Sequence, residues 1–144
     1  MSKFIGLLLV MLSTQSFASN NDGCAKIGAS MYIGLTDAIV EDLSISRDQI
    51  IQKNVSVEVI SVSPITKVYA EQLAKEDYKK IDTHILSLDN YIDGYSTDNT
   101  EVIIAKYIYR NTKNQKNVFI ASSLKNKYEC SVRFNGYLVV KREF

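Results

Sequence analysis

The chain has 144 residues, with 17 basic and 16 acidic side chains and a single histidine, so its formal net charge is +1. A near-neutral balance argues against nucleic acid as the main partner. Two cysteines without a CxxC spacing make a poor metal site.

The first residues read as an address. Lys3 supplies a positive start, Phe4 to Leu12 an apolar run, and Ser16-Phe17-Ala18 the small residues that signal peptidase prefers at the −3 and −1 positions. The apolar run is too short to cross a bilayer of about 30 Å as a helix. Residues 1–18 are therefore predicted as a cleaved signal peptide and residues 19–144 as a single globular domain, placed in the periplasm or outside the cell. No later stretch is long and apolar enough for a membrane helix. In an exported protein the pair Cys24 and Cys130 is expected to form a disulfide. The loop it closes is long enough for roughly 4–5 kcal/mol of stabilisation on the chain-entropy model.

In chain order, residues 24–43 predict a helix, with Cys24, Ile27, Met31, Leu35, Ala38 and Ile39 on one stripe and Asp22 as N-cap. Ser46-Arg47-Asp48-Gln49 has the spacing of a capping box and a short helical turn. Val55, Val57 and Val59 alternate with polar residues as a strand does. The pattern then slips at Ile60, which predicts a β-bulge or a change of the buried face before Pro64 ends the strand. Residues 66–82 predict a second helix through Ala70, Ala74, Tyr78 and Ile81. Residues 83–100 carry the loop chemistry of Asp89-Asn90, Asp93-Gly94 and Ser96 to Asn99.

The last third reads as four strands, 101–110, 117–124, 127–134 and 137–142, and Ile103 and Ile104 make the first apolar on both sides and hence central. Asn135-Gly136 has the sequence of a two-residue hairpin turn. That turn would set Val139 opposite Val132 and Tyr137 opposite Phe134. Alternation places Cys130 with Tyr128, Val132 and Phe134 on the core face, and a bond to Cys24 then puts the first helix on that face. The predicted fold class is α+β: the N-terminal helix and a second helix on one face of an antiparallel sheet of about four to five strands, closed by one disulfide.

Catalytic chemistry is thinly represented. His84 stands alone beside Asp82 and Thr83, without a GxSxG elbow, and HExxH, GxxxxGK[ST] and GxGxxG are absent. Asp89 to Gly94 half-matches a calcium loop, but position three is Tyr91 and position twelve is Thr100, where a bidentate Glu is needed. Asp37, Glu41 and Asp42 are the acids that could serve a glycosidic cleavage, and the solvated face of a helix is the plainer reading of them. No catalytic residue, metal or cofactor is assigned.

Contact residues are expected elsewhere. Tyr91, Asp93 and Tyr95 lie in an acidic stretch, and tyrosine offers large contact area at low entropy cost. Lys113 and Lys116 lie in a polar, basic connection that could equally serve solubility. Charge divides along the chain: residues 19–100 carry seven basic and thirteen acidic side chains, residues 101–144 nine basic and three acidic. Two halves of opposite sign either neutralise each other in the fold or present separate surfaces.

The leading expectation is an exported, non-enzymatic binding protein with a protein partner, in its sharpest form an inhibitor or immunity protein of the bacterial envelope. The combination of signal peptide, N-to-C disulfide and helix on antiparallel sheet resembles small periplasmic immunity proteins in layout, without a shared motif. The alternatives are a secreted effector or surface-assembly subunit, and then a carboxylate-dependent hydrolase. Export itself is checked by N-terminal sequencing of the secreted or periplasmic protein, which is expected to begin at Ser19. A sequence that still carries the apolar run would remove the basis for the localisation.

Overall fold

A computed structural model describes residues 23–144, and the predicted signal peptide and the N-cap at Asp22 lie outside the described residues. The elements are α1 (Ser30–Leu43), β1 (Ser56–Pro64), α2 (Lys67–Tyr78), α3 (Leu88–Ser96), β2 (Glu101–Arg110), β3 (Lys116–Lys125) and β4 (Arg133–Lys141). Short 3-10 turns occupy Gly23–Ala25, Arg47–Gln49 and Gln52–Asn54. The strands form one antiparallel sheet in the order β1-β2-β3-β4, with β2 inside it as its two-sided apolar sequence predicts. The α+β architecture, helices packed on a four-stranded antiparallel sheet with a Cys24–Cys130 bond, is the expected one, but α2 and α3 cover the face opposite α1 rather than sharing its face.

The first helix starts later than its apolar stripe. Gly28 adopts φ +86°, a left-handed conformation that a helix does not continue through, so α1 opens at Ser30. Met31, Leu35 and Ile39 recur every fourth residue and are fully buried, and Ser44 ends the helix at φ 54°. This stripe packs on Ile103, Ala105, Tyr107 and Tyr109 of β2 and on Phe119 and Ala121 of β3. Period-two alternation puts those six on one face of the sheet. Two phenols are anchored inside this core. The Tyr107 hydroxyl donates to the Ala25 carbonyl at 2.6 Å, and the Tyr109 hydroxyl lies 3.0 Å from Thr36 Oγ1. Burial pushes both phenols well above the ordinary tyrosine range.

Alternate residues of the same strands carry a second, smaller cluster. Leu73 of α2 packs on Val102 and Leu124, with Ile65, Tyr69, Tyr95, Ile104 and Val132 around them. Only one end of the sheet is covered in this way. The bulge expected at Ile60 is present: Val59 pairs with Ala105 and Ser61 with Ile104, leaving Ile60 unpaired between them.

Three further expectations are corrected. The 83–100 segment is not all loop, because Leu88–Ser96 is a helix. The Ser87 hydroxyl accepts from the Asn90 amide, and the Asn90 side chain accepts from the Ser87 amide in return, which satisfies amides that a helix start leaves open. The half-matched calcium loop is consequently helical, and no cluster of metal-ligating side chains occurs among the described residues.

The other two corrections concern the C-terminal strands. Asn135-Gly136 is not a hairpin turn. It lies within β4, where Ser122 pairs with Gly136 and Ser123 with Phe134, so Asn135 is the extra residue of a bulge and Gly136 supplies φ +108°. Consequently Val139 stands opposite Phe119 and Tyr137 opposite Ala121, rather than opposite Val132 and Phe134.

Residues 127–132 in turn are not a strand but the connection from β3 to β4. Asn126 Oδ1 accepts from the amides of both Tyr128 and Glu129 at 2.9 Å and turns the chain there. Tyr128 is therefore 72% exposed instead of core-facing. Cys130 meets Cys24 from this connection, Cα–Cα 5.1 Å, and the Ser30 hydroxyl donates to the Cys130 carbonyl at 2.9 Å. Phe134 then enters β4 against Gly34, where a Cβ would come within 3.1 Å of the ring.

The disulfide bridges a sequence separation of 106 residues and fastens the segment before α1 to the lead-in of the last strand. Replacing both cysteines by serine is expected to lower stability by about 2–5 kcal/mol and to speed proteolysis. Denaturant melts of the variant and the parent measure the loss, and intact mass of the unreduced protein should show a two-hydrogen deficit. Two thiols that alkylate freely in the native protein would refute the bond.

Candidate functional site

Asp77 organises the densest polar cluster of the described residues. Its carboxylate accepts two bonds from Arg133, Nε at 2.5 Å and Nη2 at 2.9 Å, one from the Tyr95 hydroxyl at 2.9 Å and one from Lys80 Nζ at 3.0 Å. Arg133 Nη1 continues to Asn135 Oδ1 at 2.9 Å, and Asn135 Nδ2 to the Ser122 hydroxyl at 3.0 Å. The network thus runs from α2 and α3 to β4 and β3. The bond from the Arg133 guanidinium, above all, holds the Asp77 carboxyl far below the usual carboxylate range, against the opposing effect of burial. Burial and then the bond to Asp77 push the Tyr95 phenol up to about 12. Every partner here is spent on another side chain of the same fold, so the cluster acts as a clamp between the helices and the sheet.

The predicted contact residues do not form one site. Tyr95 is half-buried in the clamp. Tyr91 meets Tyr78 edge-on at 5.7 Å, and Tyr78 stacks on His84 at 3.6 Å between ring centroids. Asp93 is exposed on α3. Lys113 and Lys116 are at the opposite end of β2, about 30 Å away at the ordinary rise per strand residue. Their connection is a built turn: buried Asn111 accepts through Oδ1 from the Lys113 and Gln115 amides, 3.0 Å each. The acids considered for hydrolysis also separate. Asp37 pairs with Arg47 at 2.6 Å, Asp42 accepts from the Tyr137 hydroxyl at 3.1 Å, and Glu41 is exposed.

The surface that the sheet exposes has little signature in the amino-acid pattern. Leu138, Val139 and Val140 of β4 are 65%, 44% and 54% exposed in succession. By the register, Leu138 stands beside Ile120 on the face away from α1, and the next residue in that row is Lys106, ion-paired with Glu58. Arg110 and Lys116, paired across β2 and β3, and Lys141, paired with Val118, share that face and form its basic border. Glu143 is the acid that answers them, with Lys141 Nζ at 2.5 Å and the Lys116 amide at 2.6 Å. A second apolar run is the α2–α3 connection, where Ile85 is 94% exposed next to Leu86. A shallow groove of about 290 Å³ between α1 and the 47–52 turns completes the set, lined by Tyr32, Thr36, Asp37 and Arg47 among others.

Comparison with known proteins gives no match to a family model, to a curated protein or to a solved structure.

The clamp makes a definite prediction about acid. Because the carboxyl of Asp77 is depressed in the fold, its contribution is complete above the unfolded value near pH 4 and is lost as pH falls from there through the folded value. Asp77→Asn is expected to cost about 1.5–3 kcal/mol at neutral pH, and its stability should fall less steeply than the parent's below about pH 4. Urea melts from pH 7 to pH 2 test this. Parallel acid limbs in variant and parent would show that the pair is not coupled to folding.

Proposed function

We propose that the protein is an exported, non-enzymatic binding protein whose ligand is another protein. The observation that carries this reading is the exposed apolar edge Leu138-Val139-Val140, of which Leu138 shares the face of the basic border of Arg110, Lys116 and Lys141. Apolar residues scattered singly over a surface need no explanation, whereas a contiguous row rimmed by charge is characteristic of a contact surface. Arg and Lys at its border favour an acidic partner and speed encounter with it. The disulfide and the predicted signal peptide support a place in the periplasm or outside the cell. An inhibitor or immunity protein of the envelope is the sharpest form of this reading, since such a protein works by occupying a surface with no chemistry of its own.

A subunit of a surface assembly is the second reading, favoured by Ile85 and Leu86, which give the domain a separate apolar contact.

The test places a photo-crosslinking amino acid at position 138 or 85 of the protein in the cells that export it. A discrete cross-linked protein is expected from position 138. The charge reversals Lys116→Glu and Lys141→Glu together should reduce its yield at least tenfold. Products from position 85 alone, or yields indifferent to the reversals, would favour the assembly reading.

A further inference from the structure

The two edges of the sheet differ in how they are protected. β1 carries Glu58 in its middle, the bulge at Ile60 and Pro64 at its end. A charge, a bulge and a proline are the usual means by which a free edge is kept from pairing with another chain. β4 is bulged at Asn135 and again at Val140, where Phe119 pairs with Val139 and Val118 with Lys141. Between the two bulges, residues 136–139 run in unbroken register with Ser122 to Phe119, with no charge and no proline. Apart from the ladder to β3, the main chain of residues 136–140 makes no hydrogen bond to any described residue. Leu138 and Val139 project to opposite faces and both are exposed, so a strand laid against this edge would find an apolar side chain on each face.

We propose that β4 receives an extended, acidic segment of the partner protein as a fifth strand. This rests on the binding reading above and names the chemistry of its ligand. The main chain of residues 136–139 supplies ladder hydrogen bonds, Val139 meets the alternate apolar side chains of the incoming strand on one face, and its acids lie on the other face, which carries Leu138 and the basic border. Charge decides which strand. β4 and the residue after it carry Arg133, Lys141 and Arg142 and no acid. Arg133 is engaged by Asp77 and Lys141 by Glu143, whereas Arg142 reaches only main-chain carbonyls, those of Leu43 and Phe144. Lys116 and Arg110 extend the positive border. A second copy of the chain paired through β4 would oppose one net-positive strand to another, which disfavours it. An acidic strand with apolar alternate residues meets both the charge and the row.

The experiment uses amide hydrogen exchange on the full domain with a capped peptide that alternates aspartate and valine. Its controls are the same peptide with a central proline and one with lysine in place of aspartate. At millimolar peptide, exchange at outward amides within residues 136–140 is expected to slow at least tenfold with the aspartate peptide and with neither control. Leu138→Asp with Val140→Asp should abolish that protection by opposing like charges while leaving the melting temperature within a few degrees, since both side chains are exposed in the parent. Protection that falls on β1, that is equal for the lysine peptide, or that is missing at millimolar peptide overturns the proposal. Protection of β4 that grows with protein concentration in the absence of peptide would instead assign the edge to a second copy. A discrete product cross-linked from position 138 in cells, found together with an aspartate peptide that gives β4 no protection, would retain the binding reading and remove the edge from it.

Discussion

The two inner strands are apolar on both faces, and the remainder of the architecture answers that demand. Ile103, Ala105, Tyr107 and Tyr109 alternate with Val102, Ile104 and Ile108 along β2, and β3 repeats the arrangement with Phe119 and Ala121 against Ile120 and Leu124. Such strands are stable only with cover on each side. One face receives the 14 residues of α1, roughly 21 Å of helix, which covers the tyrosine-rich core and leaves Val139 at the edge exposed. The other receives α2 and α3, which reach it at the Val102–Leu124 end. Cover on that side runs out before the sheet does, and Leu138 lies beyond it. The exposed row is therefore a consequence of supply. The chain builds more apolar sheet than its helices conceal.

The α2–α3 pair buries little apolar surface of its own, and polar bonds compensate. Arg133 is the residue that reaches across, from the first position of β4 to Asp77 near the end of α2. A half-buried ion pair contributes less to net stability than its geometry suggests, because both charges lose water. It does fix position: two parallel bonds from a planar guanidinium admit one orientation, and the bulge at Asn135 brings a further acceptor to the same group. The pair also settles part of the charge asymmetry of the chain. Arg133 with Asp77 and Glu76, and Lys106 with Glu58, join the basic C-terminal third to the acidic remainder. Neutralisation is incomplete: Glu143 answers Lys141, and Arg110, Lys113, Lys116 and Arg142 leave the far end of the sheet net positive.

Patterns confined to one element were legible in the amino-acid sequence. The Met31-Leu35-Ile39 stripe, the slip at Ile60 and the two-sided apolar run at Ile103-Ile104 each report on a single helix or strand, and each has its expected place. The cysteine pair was legible because two cysteines admit one connectivity. What failed depended on partners distant in sequence. Asn135-Gly136 satisfies the local chemistry of a turn and of a bulge equally, since both need positive φ at glycine, and pairing with Ser122 and Ser123 selects the bulge. The 127–134 alternation was genuine as a pattern, yet the Asn126 side chain captures two amides that a strand would have needed. For α3 a signal existed in Ser87 and Asn90, a reciprocal cap with asparagine in the place usually held by Glu or Gln. The exposed row on β4 had no local signature, because Leu138 to Val140 read as an ordinary strand until the extent of helical cover is known.

The position of the cystine has a consequence for how the molecule is made. Cys24 leaves the ribosome 106 residues ahead of Cys130, and every strand but the last lies between them. A chain that emerges N-terminus first can begin to pack α1 on β2 and β3 before its thiol has a mate. During that interval Cys24 is a lone sulfhydryl, open to mixed disulfides with small thiols or with another nascent chain. The bond also sits immediately ahead of the edge strand. A molecule that failed to close it would present a loosened β4 with its apolar row, and errors of oxidation and errors of strand pairing would then occur in the same molecules. Biogenesis of this domain therefore favours a compartment where oxidant is abundant and neighbouring chains are few.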